Sequence, residues 1–283
     1  MAEAGPLIRN VSDTALWVAL YRARESERPD ALFRDPYARA LSGERGAAIA
    51  RTVTFADKHA WSFTARTWAS DRMLEAEMAR GTDLVLCLAA GLDARPYRMS
   101  LPSGLRWVEV DLPEILDYKE AVLGAAVPAC RLERVRLDLA DAGARRALFE
   151  RLGAEARRIT VLSEGLLIYF SEEQVAALAR DLAGVAAVQT WILDLASPGL
   201  LRMMVKNMGG AVIAAGAPFK FAPAAGPAWF APYGWRPAEV RHLLKTAARI
   251  RRLPWKMMPL ALLPGKHPGN RPQPWSAVIR FER

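Results

Sequence analysis

Leu86–Arg98, LCLAAGLDARPYR, decides the fold. It is the end of DLVLCLAA (Asp83–Ala90), apolar almost throughout, as a parallel strand covered on both faces must be. The strand runs straight into a turn holding one glycine, Gly91. Downstream the same rhythm repeats. LRWVEVD (Leu105–Asp111) reads as a second strand, with Pro113 opening the helix after it. LERVRLDL (Leu132–Leu139) is a third strand, followed by a helix over about Gly143–Leu152. ITVLSEG (Ile159–Gly165) is a fourth, and Ser171 with Gln174 makes a capping box for the next helix. VAAVQTWILDL (Val185–Leu195) is a fifth. WSAVIRFER (Trp275–Arg283) alternates and reads as a last, antiparallel strand at or near an edge. Strands alternating with helices through short loops predict an α/β, doubly wound, mostly parallel sheet of seven strands with right-handed crossovers. Its ligand should lie outside the carboxyl ends of the strands, near strand one.

Upstream, the chain reads as helical. Asp13 or Ser12 can cap a helix to about Arg28, ended by Pro29; Phe33–Leu41 is a short second helix; a longer one runs from about Phe55 to Arg80, with Gly81 beyond its end. We therefore expect an N-terminal helical segment, residues 1–81, packed on the core and covering the ligand, and a sheet-based core over 82–283. Residues 198–235, rich in Gly, Pro, Met and aromatics, read as a lid that begins as a helix, and Pro237 as the start of a further helix to about Ala248.

Composition bounds the class. Of 283 residues, 52% are hydrophobic and 24% charged, an ordinary core-forming balance. The formal charge of +9 is scattered and mostly arginine, so it reads as a solvated surface and not as a nucleic-acid stripe interleaved with stacking aromatics. Two cysteines, Cys87 and Cys130, make neither a disulfide framework nor a metal cluster, and no metal-ligand spacing occurs elsewhere. No stretch reaches the roughly 18 apolar residues of a membrane span, and the first ten residues lack the apolar core of a signal peptide. The expectation is a cytoplasmic enzyme with a small-molecule substrate.

The chemistry gathers at the strand ends. Twenty positions after Gly91, the second strand ends in Glu109 and Asp111, where nicotinamide and S-adenosylmethionine enzymes alike place an acid for ribose hydroxyls. The glycines separate the two. A dinucleotide needs G-x-G-x-x-G, because amides must approach a pyrophosphate closely. This turn carries Ala89 and Ala94 instead, and S-adenosylmethionine, having no phosphate, needs only the close approach that Gly91 gives. Asp93 can bind the ligand's ammonium, or else pins the loop in an ion pair with Arg95. Asp138 can accept from an adenine amino group while Leu139 packs on the ring. Glu164 and Tyr169 face the same rim, although Glu164 also fits as a cap of the following helix. Phe230, Tyr233, Trp235 and Trp61 can roof an apolar substrate pocket, or merely pack. The histidines have no context that marks a base.

LAAGLDARPYR (Leu88–Arg98), EVDLPEILDYK (Glu109–Lys119), LDLAD (Leu137–Asp141) and SEGLLIYF (Ser163–Phe170) together resemble the leucine carboxyl methyltransferases and their bacterial polyketide O-methyltransferase relatives of the tetracenomycin type. Arg22–Leu41, Ala65–Leu74 and Phe221–Val240 are similar to that family's N-terminal segment, its arginine-bearing helix and the bacterial lid. The resemblance implies a class I methyltransferase that uses S-adenosylmethionine. It implies Arg66 on the cofactor's carboxylate, Gly91 with Ala89 along its methionine part, Asp111 and Leu112 at the ribose, Asp138 and Leu139 at the adenine, and Glu164 beside it. The family usually has Gly at Ala89 and Thr at Ala94. It implies O-methylation of a carboxyl or hydroxyl on a small, largely apolar natural product; a protein C-terminal carboxyl is the alternative acceptor. A phenolic acceptor would gain from a base, for which Tyr169 or Glu164 stand nearest. A nicotinamide oxidoreductase is the rival from another reaction class.

Overall fold

A computed structural model describes residues 13–52, 54–214, 218–262 and 274–283. Its N-terminal helices are α1 (Asp13–Ser26), α2 (Ala38–Thr52, kinked at Gly43), α3 (Thr54–Lys58) and α4 (Ala60–Ala79). The expected helix Phe55–Arg80 is thus broken at His59, and Phe33–Tyr37 precedes α2 instead of forming its first turn. Then follow β1 (Leu84–Leu88), α5 (Arg95–Arg98), β2 (Arg106–Asp111), α6 (Pro113–Leu123), β3 (Arg131–Arg136), α7 (Ala142–Glu155) and β4 (Ile159–Ser163). After a 3-10 turn at Leu167–Tyr169 come α8 (Glu172–Ala183), β5 (Val188–Ala196) and α9 (Pro198–Ala214). A second 3-10 segment, Gly226–Tyr233, leads to β6 (Arg236–His242), α10 (Leu243–Arg249), α11 (Met258–Leu262) and β7 (Ser276–Glu282).

The strands form one seven-stranded sheet, ordered β3-β2-β1-β4-β5-β7-β6. The first five pair in parallel, and β7 runs antiparallel to both neighbours. In register, Leu88 lies beside Val110 of β2 and Ser163 of β4, so three strands end together where the sheet order reverses. The capping box forms as the sequence predicts: Gln174 N donates to Ser171 Oγ at 3.2 Å, and Ser171 N to the Gln174 side chain at 2.8 Å. The helix expected from Pro237 does not form. Residues 236–242 are the edge strand β6, with a register shift at Pro237/Glu239. An edge tolerates a residue without an N–H, and β7, buried over most of its length, needs a neighbour on its outer side.

Both faces of the sheet are covered. Ala65, Ala69, Met73 and Leu74 of α4 pack with Val85, Cys87, Trp107, Leu162 and Ile192. On the other face Leu148, Phe149, Val175, Leu178 and Leu182 pack with Leu86, Val108, Val161 and Trp191. The N-terminal segment therefore supplies one of the sheet's own layers. α1 packs separately with Leu41, Ile49, Leu92 and Ile115 at the carboxyl end of the strands.

Candidate active site

A cavity of about 460 Å³ opens at those strand ends. The turn after β1 enters it through two unusual backbone conformations. Gly91 has φ +47°, and its amide donates to Asp111 Oδ2 at 2.6 Å. Ala89 has φ +52°, a left-handed conformation that strains a residue with a Cβ, so this is where a glycine would be at ease. Asp111 closes the gap between the two strands, accepting from Leu112 N at 2.8 Å on its other oxygen. Burial pushes its carboxyl upward, and the two amide bonds only partly offset that.

Beneath the turn lies an ionic cluster. Arg95, 2% exposed, donates through Nε to Asp71 Oδ1 at 2.7 Å and through Nη1 to Asp93 Oδ2 at 2.5 Å and Glu164 Oε2 at 2.9 Å. Arg98 grips Asp71 with both terminal nitrogens at 2.8 Å. Ser70 Oγ donates to the other oxygen of Glu164 at 2.5 Å. Burial alone would raise the carboxyls of Asp71, Asp93 and Glu164, but the facing guanidiniums hold all three below their usual range. Asp93 is thus tied to Arg95, the ion pair that the sequence left open.

Arg66, from α4, lies across the cavity and donates from Nη1 to Asp194 Oδ2 at 3.1 Å. Asp194, near the end of β5, also accepts from Gly165 N at 2.6 Å. Arg66 Nε is buried without a partner among the described residues. Burial opposes its charge, but Asp194 and Glu164 keep the guanidinium more firmly protonated than usual. Asp138 is at the rim, exposed and accepting from Ala140 N, with buried Leu139 beside it.

Elsewhere the wall carries Phe63, Ile168, Tyr169, Leu200, Met204 and Phe219, with Ser62, Gln174, Lys220 and Ser276 among them. The Tyr169 and Phe219 rings lie 5.6 Å apart. The chain at 218–221 is laid there by two main-chain bonds, from Lys220 N and Phe221 N to Ile168 O. Tyr169 Oη is 3.5 Å from Thr14 Oγ1, and burial raises its phenol above the ordinary range near 10.

The expected roof residues are elsewhere. Phe230 and Trp235 are fully buried in the core, edge-on to Trp191, and the Trp235 indole donates to Ala179 O. Tyr233 packs on Trp229 under Arg180. Trp61 is half-buried against the α4 face of the core, near His59. None of the four lines the cavity. In a Gly/Pro-rich segment aromatic spacing carries no face, so the lining ring, Phe219, could not be picked from the packing ones. Asp194 was missed although it repeats the pattern of an acid at a strand end. His59 makes a local bond to Phe55 O, and His267 lies outside the described residues. Among the described residues there is no cluster that could hold a metal ion and no helix long and apolar enough to cross a membrane.

A sheet of this order, with a single-glycine turn after β1 and acids at neighbouring strand ends around one cavity, defines an S-adenosylmethionine-dependent methyltransferase of the Rossmann-like class. The model of the leucine carboxyl methyltransferase family matches residues 15–183, and the chain belongs to that family. It is similar to a Frankia alni protein named as an S-adenosyl-L-methionine-dependent methyltransferase, 36% identical over 218 residues, which span 70% of this chain and 77% of the relative. A Parafrankia protein of the same name is 34% identical over 247 residues, 81% of this chain and 78% of the relative. Among solved structures, a DUF574-family protein of Streptomyces avermitilis shares the fold with TM-score 0.57 at 15% identity, over 93% of this chain and 96% of that one.

Proposed function

We propose that this chain is an O-methyltransferase whose acceptor is a carboxyl oxygen on a small, largely apolar natural product of polyketide type. The observation that carries the reading is the contrast within one cavity between a polar, strand-end part and a largely apolar part with Phe63, Ile168, Tyr169, Leu200, Met204 and Phe219 in its wall.

The polar part fits the cofactor. A carboxylate would satisfy the orphaned Nε of Arg66, as charge-assisted pairing requires. Gly91 with Ala89 would line the methionine part, Asp111 with Leu112 the ribose, and Asp138 with Leu139 the adenine; Glu164 and Asp93 border it. When bound, S-adenosylmethionine supplies an electrophilic methyl group on a sulfonium. The protein's own part is to hold the acceptor oxygen in line and to exclude water, and α1 contributes Thr14, Trp17 and Val18 to the cavity wall for that purpose.

The choice of carboxyl over hydroxyl follows from ionisation. A hydroxyl acceptor gains from a base, and the two groups that the sequence offered for that role are ill-suited. Glu164 is engaged by Arg95 and Ser70 and is a weakened proton acceptor; Tyr169 is a neutral phenol. Among the described residues no histidine lines the cavity. A carboxylate is already ionised at neutral pH and needs no base.

The test offers methyl-labelled cofactor with apolar aromatic acids and with their carboxyl-blocked phenolic counterparts. The expected label is on the acids and is released by mild alkali, as a methyl ester is. Alkali-stable label on the phenols moves the assignment to a hydroxyl. Methyl on nitrogen or carbon removes the O-methylation reading and leaves the cofactor.

A further inference from the structure

Asp194 is a buried-edge acid that no step of the proposed chemistry uses. Its side chain is 23% exposed and lines the cavity on the far side of the sheet switch point from Asp111. Both of its oxygens are engaged. Oδ1 accepts from Gly165 N at 2.6 Å, and Oδ2 from Arg66 Nη1 at 3.1 Å.

The guanidinium has two hydrogen-bonding edges that can take a carboxylate side-on or end-on. Asp194 consumes Nη1, which belongs to the end-on edge. Nε is buried and unpartnered, and Nη2 makes no hydrogen bond among the described residues. What is left is the Nε–Nη2 edge. Two further contacts fix the orientation. The guanidinium carbon sits 5.5 Å from the Phe63 ring centroid. Gly165, at φ +67°, lies against the guanidinium: a Cβ there would be in ordinary contact with Nη1 at 3.5 Å.

We propose that Asp194 is the positioning residue for the amino-acid end of the cofactor: by holding Arg66 Nη1 and the Gly165 amide together, it turns the Nε–Nη2 edge to the cofactor's carboxylate. The inference rests on the reading of Arg66 given above. It adds that the arginine's selectivity is set by β5, through a carboxylate that never touches the ligand.

The experiment compares two adenosyl thioethers by calorimetry. S-adenosylhomocysteine carries the amino-acid end; 5′-methylthioadenosine lacks it. Asp194→Asn keeps the size and an acceptor for Gly165 but places an amide where the charge was. It should weaken S-adenosylhomocysteine about tenfold, as loss of a charge-assisted bond does, and 5′-methylthioadenosine by less than about twofold. Arg66→Ala should show the same selectivity, and the double variant should lose less than the product of the two single effects. A purely structural role would weaken both ligands alike, and that result, or no change in either, overturns the proposal. If the asparagine variant does not fold, Asp194→Glu, which keeps the charge but displaces it, must show the same selective loss. Arg66→Ala with unchanged S-adenosylhomocysteine affinity would instead remove the reading beneath. Selective loss in Arg66→Ala but not at position 194 removes only this inference.

Discussion

At the strand-end half of the cavity, and in the ionic cluster beneath it, the charged side chains are held by directional polar bonds. Asp71 is gripped by Arg95 and Arg98, Glu164 by Arg95 and Ser70, Arg66 by Asp194. At the other half, Phe219 meets Tyr169 ring to ring, and the segment carrying it is fixed by main-chain bonds to Ile168 O. The first half is directional: its groups are worth having only in one geometry, and removing one leaves a buried charge unpaired. The second is non-directional and tolerates a change of shape. A cofactor that never varies suits the first kind of wall. A wall of the second kind suits a ligand recognised by shape and apolar contact.

The largest effect should come from the directional half. Asp71→Ala leaves Arg95 and Arg98 buried without their shared partner and should cost about 3–5 kcal/mol in denaturant unfolding. Phe219→Ala, in a part-buried position on the other half, should cost clearly less. Equal losses would erase the distinction. The acid limb sharpens it. The carboxyls of Asp71 and Glu164 are held below their ordinary values in the fold, so their contribution is complete above the usual carboxylate range near 4 and is lost as pH falls through the lowered folded values. Asp71→Ala should therefore flatten the decline of the unfolding midpoint below about pH 4.

The next effect is in binding. Arg66→Ala should weaken S-adenosylhomocysteine by about 2 kcal/mol, measured by calorimetry, and Arg66→Lys should restore only part, since a point charge cannot pair through two parallel bonds. A full rescue by lysine would mean that the directional half works by charge alone. Smaller still, and of opposite sign, is Ala89→Gly. Relief of the positive φ outweighs the added freedom of the unfolded chain, so unfolding should become harder by about 0.5–1 kcal/mol. A loss of stability would show that the Ala89 methyl contributes packing. The smallest change is expected at Tyr169. With a carboxylate acceptor, Tyr169→Phe should leave turnover nearly intact and the rate flat from about pH 6 to 9, far from the roughly 10²-fold loss that removing a general base causes.

The same contrast explains what the sequence made legible. Gly91, Asp111, Asp138 and Glu164 all border the cavity, because acids and glycines at strand ends are placed by the sheet itself, and the sheet is read from buried apolar runs; Arg66, on α4, borders it too but was legible only through the family resemblance. The helix at Pro237 was a misreading, because an edge strand with a proline carries the same local signal as a helix start. The apolar half stayed opaque. Phe230 and Trp235 are chemically equivalent to Phe219 in a segment without periodicity, and only tertiary packing separates the buried rings from the lining one.

β7 lies between β5 and β6, so the outer edge of β5 stays unpaired, and β6 has no neighbouring strand, until a strand far along the chain arrives. Chain order and spatial order disagree here and at the β1–β4 switch point; the β1–β2, β2–β3 and β4–β5 pairs form through crossovers of modest length. Closure of the sheet is therefore a high-contact-order event, with a long loop to restrict before any pairing is gained. In a chain still being synthesised, the outer edge of β5 is an open template for other strands. Asp194 sits on that strand, opposite Val278 of β7. Its grip on Arg66 can thus become rigid only when the sheet closes, so competence to bind the cofactor should be among the last properties acquired in folding.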